Sequence, residues 1–347
     1  MKKYLILLLF TATFMIVNAQ NKFEKKPYLT QSFSGATINS VVSKTSGGNI
    51  SVTAVSPSES KVEVFVTQNG NSLNSLSDDE IKTKIVEDYD LDISVNNGNL
   101  TVTAKPKHEI TNWKHALRFS FKIFVDQKVS TKLETSGGNI ALKGISGNQD
   151  FKTSGGNLSL EELSGTIKGK TSGGNIYVRN CKDGLDLSTS GGNILAKNAK
   201  GHIHISTSGG SIKLSNLKGN INASTNGGNI EGEVIDGELS ASTSGGNVSL
   251  QKLSCNLKAS TSGGNIDVSI QNPGKYVTIH NSAGKVSLTI PKNTSMDLKL
   301  NAMKISTQNL ENFNGKTSKE EINGTVNGGG IPVVIDAGGG KIDVVFN

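Results

Sequence analysis

Four carboxylates fall within one short stretch, at Glu231, Glu233, Asp236 and Glu238. Paired carboxylates hydrolyse glycosidic bonds when they stand roughly 5–9.5 Å apart. Glu231 and Glu233 alternate with Gly232, so on a strand they point the same way at about 7 Å. A catalytic acid also needs burial or a like charge to raise its pKa. The repeat described below sets Lys213, Ser215, Ser249 and Gln251 to either side of the pair. That is the company of a solvated charged face, and no catalytic residue is assigned. His202 and His204 could pinch a metal from one strand, with Asp186 as a third donor. Both imidazoles are read as surface groups, and no metal or other cofactor is expected. Lys182, Lys200 and Lys218 recur at an even interval, that of the same repeat. Like charges held in one line cost energy. They read first as solubilising corner residues; the alternative is a basic ridge that faces acidic glycans or lipid phosphates, which would compensate for that cost. Cys181 and Cys255 are the only cysteines, too few for a disulfide framework or a cysteine metal site. No Ser/His/Asp or Cys/His arrangement is found.

Composition narrows the partners. The chain has 347 residues, a formal net charge of +7 and 34% hydrophobic residues. That apolar share is enough for a core and argues against wholesale disorder. The 40 glycines follow no G-X-Y period, which excludes collagen. Among 36 cations only Arg118 and Arg179 are arginines. Nucleic-acid readers rely on the planar guanidinium fork, so nucleic acid is not expected as a partner.

These side chains are positioned by a repeat. The motif T-S-G-G-N-I, or a close variant, begins at Thr135, Thr153, Thr171, Thr189, Thr207, Thr225, Thr243 and Thr261, at one unbroken interval. An outlying copy begins at Thr45. With each Thr as position 0, positions 5, 7, 10, 14 and 16 are mostly apolar, as at Ile194, Ala196, Ala199, Ile203 and Ile205. Positions 6, 8, 13, 15 and 17 are mostly polar. Alternation with period two marks strands, and the glycines at positions 2, 3 and 12 mark turns.

An 18-residue unit of short strands cannot bury a face alone, but stacked units can. Adjacent coils then pair in parallel at about 4.8 Å, like positions above one another. The fold class is all-β, a parallel β-solenoid with 18-residue coils and irregular caps. A right-handed coil is favoured, following the handedness of parallel crossovers. Propeller blades need about 40 residues, which excludes them. Stacking predicts a structural ladder along position 4: Asn139, Asn157, Asn175, Asn193, Asn229, Asn247 and Asn265, with amides bonded along the axis. It predicts Thr at position 0 turned inward, and glycines at positions 2 and 3 adopting backbone angles closed to other residues. No helix follows the glycines, as a phosphate loop would require. Cys181 and Cys255 fall four coils apart, on the order of 19 Å, beyond the reach of a disulfide. Both are expected as free, buried thiols.

Four segments follow. Residues 1–19 read as a signal peptide: Lys2 and Lys3, an apolar run over 5–17, then Val17-Asn18-Ala19. The run is too short to span a bilayer, and no transmembrane segment is expected elsewhere. Residues 20–134 read as an N-terminal cap with irregular coils, including a short helix opened by Ser77 as N-cap. Trp113, Phe119, Phe121 and Phe124 are expected in the cap core. Residues 135–270 are the regular coils. Residues 271–347 are irregular coils and a cap, in which 292–325 form an insert and 331–335 and 342–346 are closing strands.

The T-S-G-G-N-I coils carry a resemblance. So do Ser287-Leu288-Thr289-Ile290-Pro291, Asn327-Gly328-Gly329-Gly330-Ile331 and Gly338-Gly339-Gly340-Lys341-Ile342-Asp343-Val344. Over roughly 39–347 the chain resembles the putative-adhesin family of bacterial β-strand-repeat proteins, related to auto-transporter adhesin head domains. The resemblance implies a β-helical fold on an exported bacterial protein and brings no catalytic residues. The expected function is a non-enzymatic, exported β-solenoid acting in adhesion or envelope interaction. Its expected partners are surface glycans or envelope components. Its place is the periplasm, the outer-membrane surface or the extracellular space. The alternatives are a carbohydrate-active β-helix enzyme or glycan-binding module, and an ice-binding solenoid. The ice-binding reading rests on outward serines at positions 17 and 1, such as Ser188 and Ser190.

Overall fold

Small and branched aliphatic side chains alternating with polar ones favour strands whose apolar side can be covered. Here each coil is covered by the coils above and below. The computed structural model describes residues 26–69, 77–109, 116–308 and 310–347; the signal-peptide residues and Trp113 lie outside these. Strands Ile194–Thr207, Ile212–Thr225, Ile230–Thr243 and Val248–Thr261 pair in parallel, each residue against its equivalent in the next coil. Ile194 therefore pairs with Ile212, Ile212 with Ile230, and Ile230 with Val248. The same register runs through the shorter strands from Gln149 onward. Positions 0, 5, 7, 10, 14 and 16 are buried along the regular coils. The fold is the all-β, parallel solenoid that the period requires.

Two bends per coil turn the chain without breaking the strand. Position 9 is left-handed in Glu162, Asn180, Asn198, Asn216, Val234 and Lys252, with φ between 53° and 58°. Position 12 is left-handed at Gly165, Gly201, Gly219 and Gly237, and also at Asp183 with φ 81°. Glycine at position 12 meets a conformation that a Cβ resists.

The glycines at positions 2 and 3 correct the sequence-based expectation. Neither adopts a left-handed backbone. Position 3 needs glycine because the coils approach there: a Cβ on Gly192 would land on the Gly174 carbonyl and 2.8 Å from Asn175 N. Position 2 is open, since a Cβ on Gly191 would meet nothing closer than 3.7 Å. The Thr at position 0 locks the same contact. Thr189 Oγ1 donates to the Gly174 carbonyl at 2.8 Å and accepts from Gly192 N–H at 3.3 Å. Where Asn281 replaces the Thr, its amide makes both bonds, donating to Gly264 O and accepting from Gly284 N–H at 2.9 Å each.

At the N-terminal end, strands β1 (Leu29–Ser32), β2 (Ser40–Thr45), β3 (Ile50–Ala54) and β4 (Lys61–Gln68) precede helix α1 (Asp78–Asp88). Strands β5 (Tyr89–Asn96), β6 (Asn99–Pro106), β7 (Leu117–Val125), β8 (Ser130–Thr135) and β9 (Ile140–Lys143) follow. The outlying copy is a true coil: β2 pairs in parallel with β8, and β3 with β9, so Thr45 stands against Thr135. The chain then leaves the stack and returns. It covers the open end with β6 on β2, β7 on β3, and antiparallel β4–β7, β1–β4 and β5–β6 pairs. Antiparallel strands and a helix blunt an edge that would otherwise recruit other chains. Ser77 and Glu80 form a reciprocal capping box on α1. Phe119 and Phe121 are buried in this cap.

At the other end the chain order inverts. Ile331–Asp336 and Lys341–Phe346 stack directly on Val277–Asn281 and Lys285–Ile290. Met296–Asn301 and Lys304–Gln308, from the first half of the expected insert, then stack outside them. The strands expected to close the solenoid thus lie one coil in. The hairpin Phe313–Thr317 and Glu321–Val326 extends the end by antiparallel pairing.

Candidate functional site

The coil stack fixes where each outward side chain stands. Strand pairing sets Lys182 against Lys200 and Lys200 against Lys218, so the three lysines form one line at about 4.8 Å per step. All three are exposed. Lys218 Nζ donates to Asp236 Oδ2 at 2.8 Å in the next coil, and that bond raises the Lys218 pKa. Lys182 and Lys200 have no carboxylate partner among the described residues. The neighbouring Asp183 carboxylate instead accepts from Gly165 N–H at 3.0 Å.

A second line runs beside the lysines at the position 9 bend. Asn198 Nδ2 donates to Asn180 Oδ1 at 3.1 Å, and Asn216 Nδ2 to Asn198 Oδ1 at 2.9 Å. This is the amide-to-amide ladder expected of position 4, displaced to position 9. Asparagine is a residue that tolerates the left-handed bend, and its recurrence at 180, 198 and 216 was the available signal.

Position 4 carries a ladder of another kind. Asn157 N–H donates to Asn139 Oδ1 at 2.7 Å, Asn175 N–H to Asn157 Oδ1 at 2.8 Å, and Asn193 N–H to Asn175 Oδ1 at 2.8 Å. Asn193, Asn229, Asn247 and Asn265 continue it: each accepts through Oδ1 from the backbone N–H stacked on it. Ser211 keeps the chain intact by accepting through Oγ from Asn229 N–H at 3.1 Å. The side-chain carbonyls are spent on the scaffold.

The acidic cluster is spent on ion pairs. Glu231 lies 3.3 Å from Lys213 Nζ, and Glu233 lies 2.7 Å from Lys252 Nζ. The bond from Lys252 holds the Glu233 carboxyl below the ordinary carboxylate range, the opposite of what a catalytic acid needs. Glu238 accepts from the Tyr276 hydroxyl at 3.1 Å. Glu161 pairs with both Arg179 and Lys143. His204 stands against Asp186 in the strand register, and no group of three or more His, Cys, Asp or Glu able to hold a metal occurs among the described residues. The serine line at position 17 is in register, with Ser260 Oγ donating to Ser242 Oγ at 3.0 Å, while the threonines at position 0 are buried. Cys181 and Cys255 are free and buried. Burial pushes their thiols up to about 11 and about 12 respectively.

Register-stacked coils with ordered outward rows define a β-solenoid scaffold. The family described as Toastrack DUF4097 matches residues 15–241, and the chain belongs to that family. Two solved structures are similar over most of their length. One is a putative cell adhesion protein from Clostridium sporogenes, 12% identical, covering 92% of this chain and 98% of that one, with a TM-score of 0.21. The other is a putative adhesin from Bacteroides fragilis, 13% identical, covering 91% of this chain and 96% of that one, with a TM-score of 0.32. No curated protein matches. No helix among the described residues is long and apolar enough to cross a membrane.

Proposed function

We propose that the chain is an exported, non-enzymatic β-solenoid of the cell envelope, an adhesive scaffold whose basic ridge binds anionic surface glycans or envelope polymers. The observation that carries this reading is the line Lys182–Lys200–Lys218, held in strand register with two of its three ammonium groups unpaired. The stack fixes the backbone positions of the row, so a linear polyanion meets it without ordering the chain, which removes part of the entropic cost of binding. The engagement of Glu231, Glu233 and Glu238 with cations and a phenol supports binding over hydrolysis. The apolar run over 5–17 behind Lys2 and Lys3 agrees with export. The test compares retention on immobilised dextran sulfate and on uncharged dextran. Wild type is expected to bind the sulfated polymer only, with affinity falling as salt rises. Changing Lys182, Lys200 and Lys218 together to Gln should remove most of that binding while leaving the unfolding midpoint unchanged. Equal retention of the triple variant would refute the ridge, and release of new reducing ends from acidic polysaccharides would refute the non-enzymatic reading.

A further inference from the structure

A cleft of about 1010 Å³ lies where the N-terminal cap meets the first coils, whose Asn49, Ser51 and Asn139 line one side of it. Its floor is the outward side of three neighbouring strands. On β7 the outward residues are Arg118, Ser120 and Lys122; on β4 Thr67 stands against Arg118 and Phe65 against Ser120. On β3, Ser51 stands against Lys122. Its walls are Asp78, Ile81 and Lys82 around α1 and the segment Lys26 to Tyr28. Four cations therefore line it with one carboxylate; Lys82 is paired with Asp79 at 3.0 Å, and Lys122 is engaged as well.

Arg118 is the distinctive group. Of the two arginines in the chain, Arg179 is paired with Glu161, whereas Arg118 has no carboxylate partner among the described residues. Its Nε and Nη2 donate to the Gly47 carbonyl at 3.2 and 2.9 Å. That anchors one edge of the guanidinium and leaves the Nη1 side, with the second Nη2 proton, as a fixed fork for a carboxylate. Phe65 supplies an aromatic ring with Lys122 Nζ over it at 5.1 Å, and Tyr28 is 38% exposed at the rim. A fixed cationic fork, aromatic rings and hydroxyls in one concave site are the chemistry that holds a sugar acid: the fork takes the carboxylate, the rings take the apolar face and the hydroxyls take the ring oxygens.

We propose that this cleft binds a carboxylated saccharide through the Arg118 fork, independently of the lysine ridge. The test is calorimetric titration of the whole chain with trigalacturonate, with maltotriose as the neutral trisaccharide and with inorganic phosphate. Trigalacturonate should bind and maltotriose should not. Arg118→Gln should weaken the acid at least tenfold, and Phe65→Ala should weaken it severalfold. Circular dichroism would confirm that both variants fold, and Lys122→Gln provides a third variant that leaves the Gly47 anchor in place. The Gln triple variant of the ridge should bind trigalacturonate as wild type does. Absence of trigalacturonate binding, equal binding of maltotriose, an Arg118→Gln variant of unchanged affinity, or phosphate binding as tightly with the same Arg118 dependence would each overturn the proposal.

Discussion

Two adjacent glycines, alike in every regular coil, should respond oppositely to the addition of one methyl group. In Gly192→Ala the new carbon would occupy the position of the Gly174 carbonyl oxygen. The obstacle is backbone held in a strand stack, so the two coils must part locally. Parting them strains two hydrogen bonds at the contact, from Thr189 Oγ1 to the Gly174 carbonyl at 2.8 Å and from Gly192 N–H to Thr189 Oγ1 at 3.3 Å. At about 1 kcal/mol net for each bond and about 1–3 kcal/mol for overpacking, the cost is about 3–5 kcal/mol. In Gly191→Ala the methyl meets nothing within 3.7 Å and the backbone is not left-handed. That change should stabilise by about 0.4–1 kcal/mol through the unfolded chain. Urea unfolding followed by far-UV circular dichroism would read both variants beside wild type. Midpoints are the safe comparison, because long repeat arrays depart from two-state behaviour. Midpoints of the two variants that agree within error, or a lower midpoint for Gly191→Ala, would refute the close-approach account of position 3.

Two further outcomes are expected. Ile194→Asp should unfold part of the array, since Ile194 is buried in a narrow core and an unpaired carboxylate there is costly; Lys200→Ala should shift the melting temperature little, and equal shifts would mean that the inward register is wrong. Thiol titration without reductant should count two per chain in denaturant and react slowly in the native state, because the thiols are pushed up to about 11 at Cys181 and about 12 at Cys255. The linked stability follows from the sign of those shifts: both folded pKa values lie above the ordinary thiol value near 8.5, so the contribution is full below that pH and is lost as pH rises from about 9 through 11–12. A Cys181→Ala, Cys255→Ala variant should lose less stability over that window, and an identical pH dependence would contradict the burial of the thiols.

The regular coils were legible because each inward position is sampled seven or eight times. Ile140, Leu158, Ile176, Ile194, Ile212, Ile230, Val248 and Ile266 all report one environment, and that environment is buried in each case. The lysine ridge was legible for the same reason, since equal coil positions must stack. What stayed hidden lies where the period gives no information. The double glycine looks uniform along the sequence, yet its two residues differ in whether a Cβ would point along the axis into the next coil or into open space. The inversion at the C-terminal end depends on which unpaired strand edge receives Ile331–Asp336, and strand alternation is blind to that choice. The cleft joins Lys26, Phe65 and Arg118 from three separate stretches of the cap, and no spacing relates them.

Val234 shows how completely the stack governs the chain. It occupies the position 9 bend at φ 57°, a conformation poorly suited to a β-branched residue. It is 45% exposed, so no core contact compensates. The bend persists because the coil on either side makes it: Asn216 and Lys252 hold the same angle one coil below and one above, and Ile235 is drawn inward at position 10 like Leu217 and Leu253. Around Val234, ion pairs cross from coil to coil, Lys218 to Asp236 and Lys252 to Glu233. The coil therefore takes its shape from the inward residues, the axial backbone bonds and the position 3 contact. Outward residues other than the asparagine ladders contribute little to that shape, which is why position 13 holds Thr166, Gly184, His202, Asn220, Glu238 and Asn256 in successive coils without disturbing the register. A scaffold that fixes geometry from within leaves its surface chemistry free to vary, and this is why three lysines can stand in one line without disturbing the register.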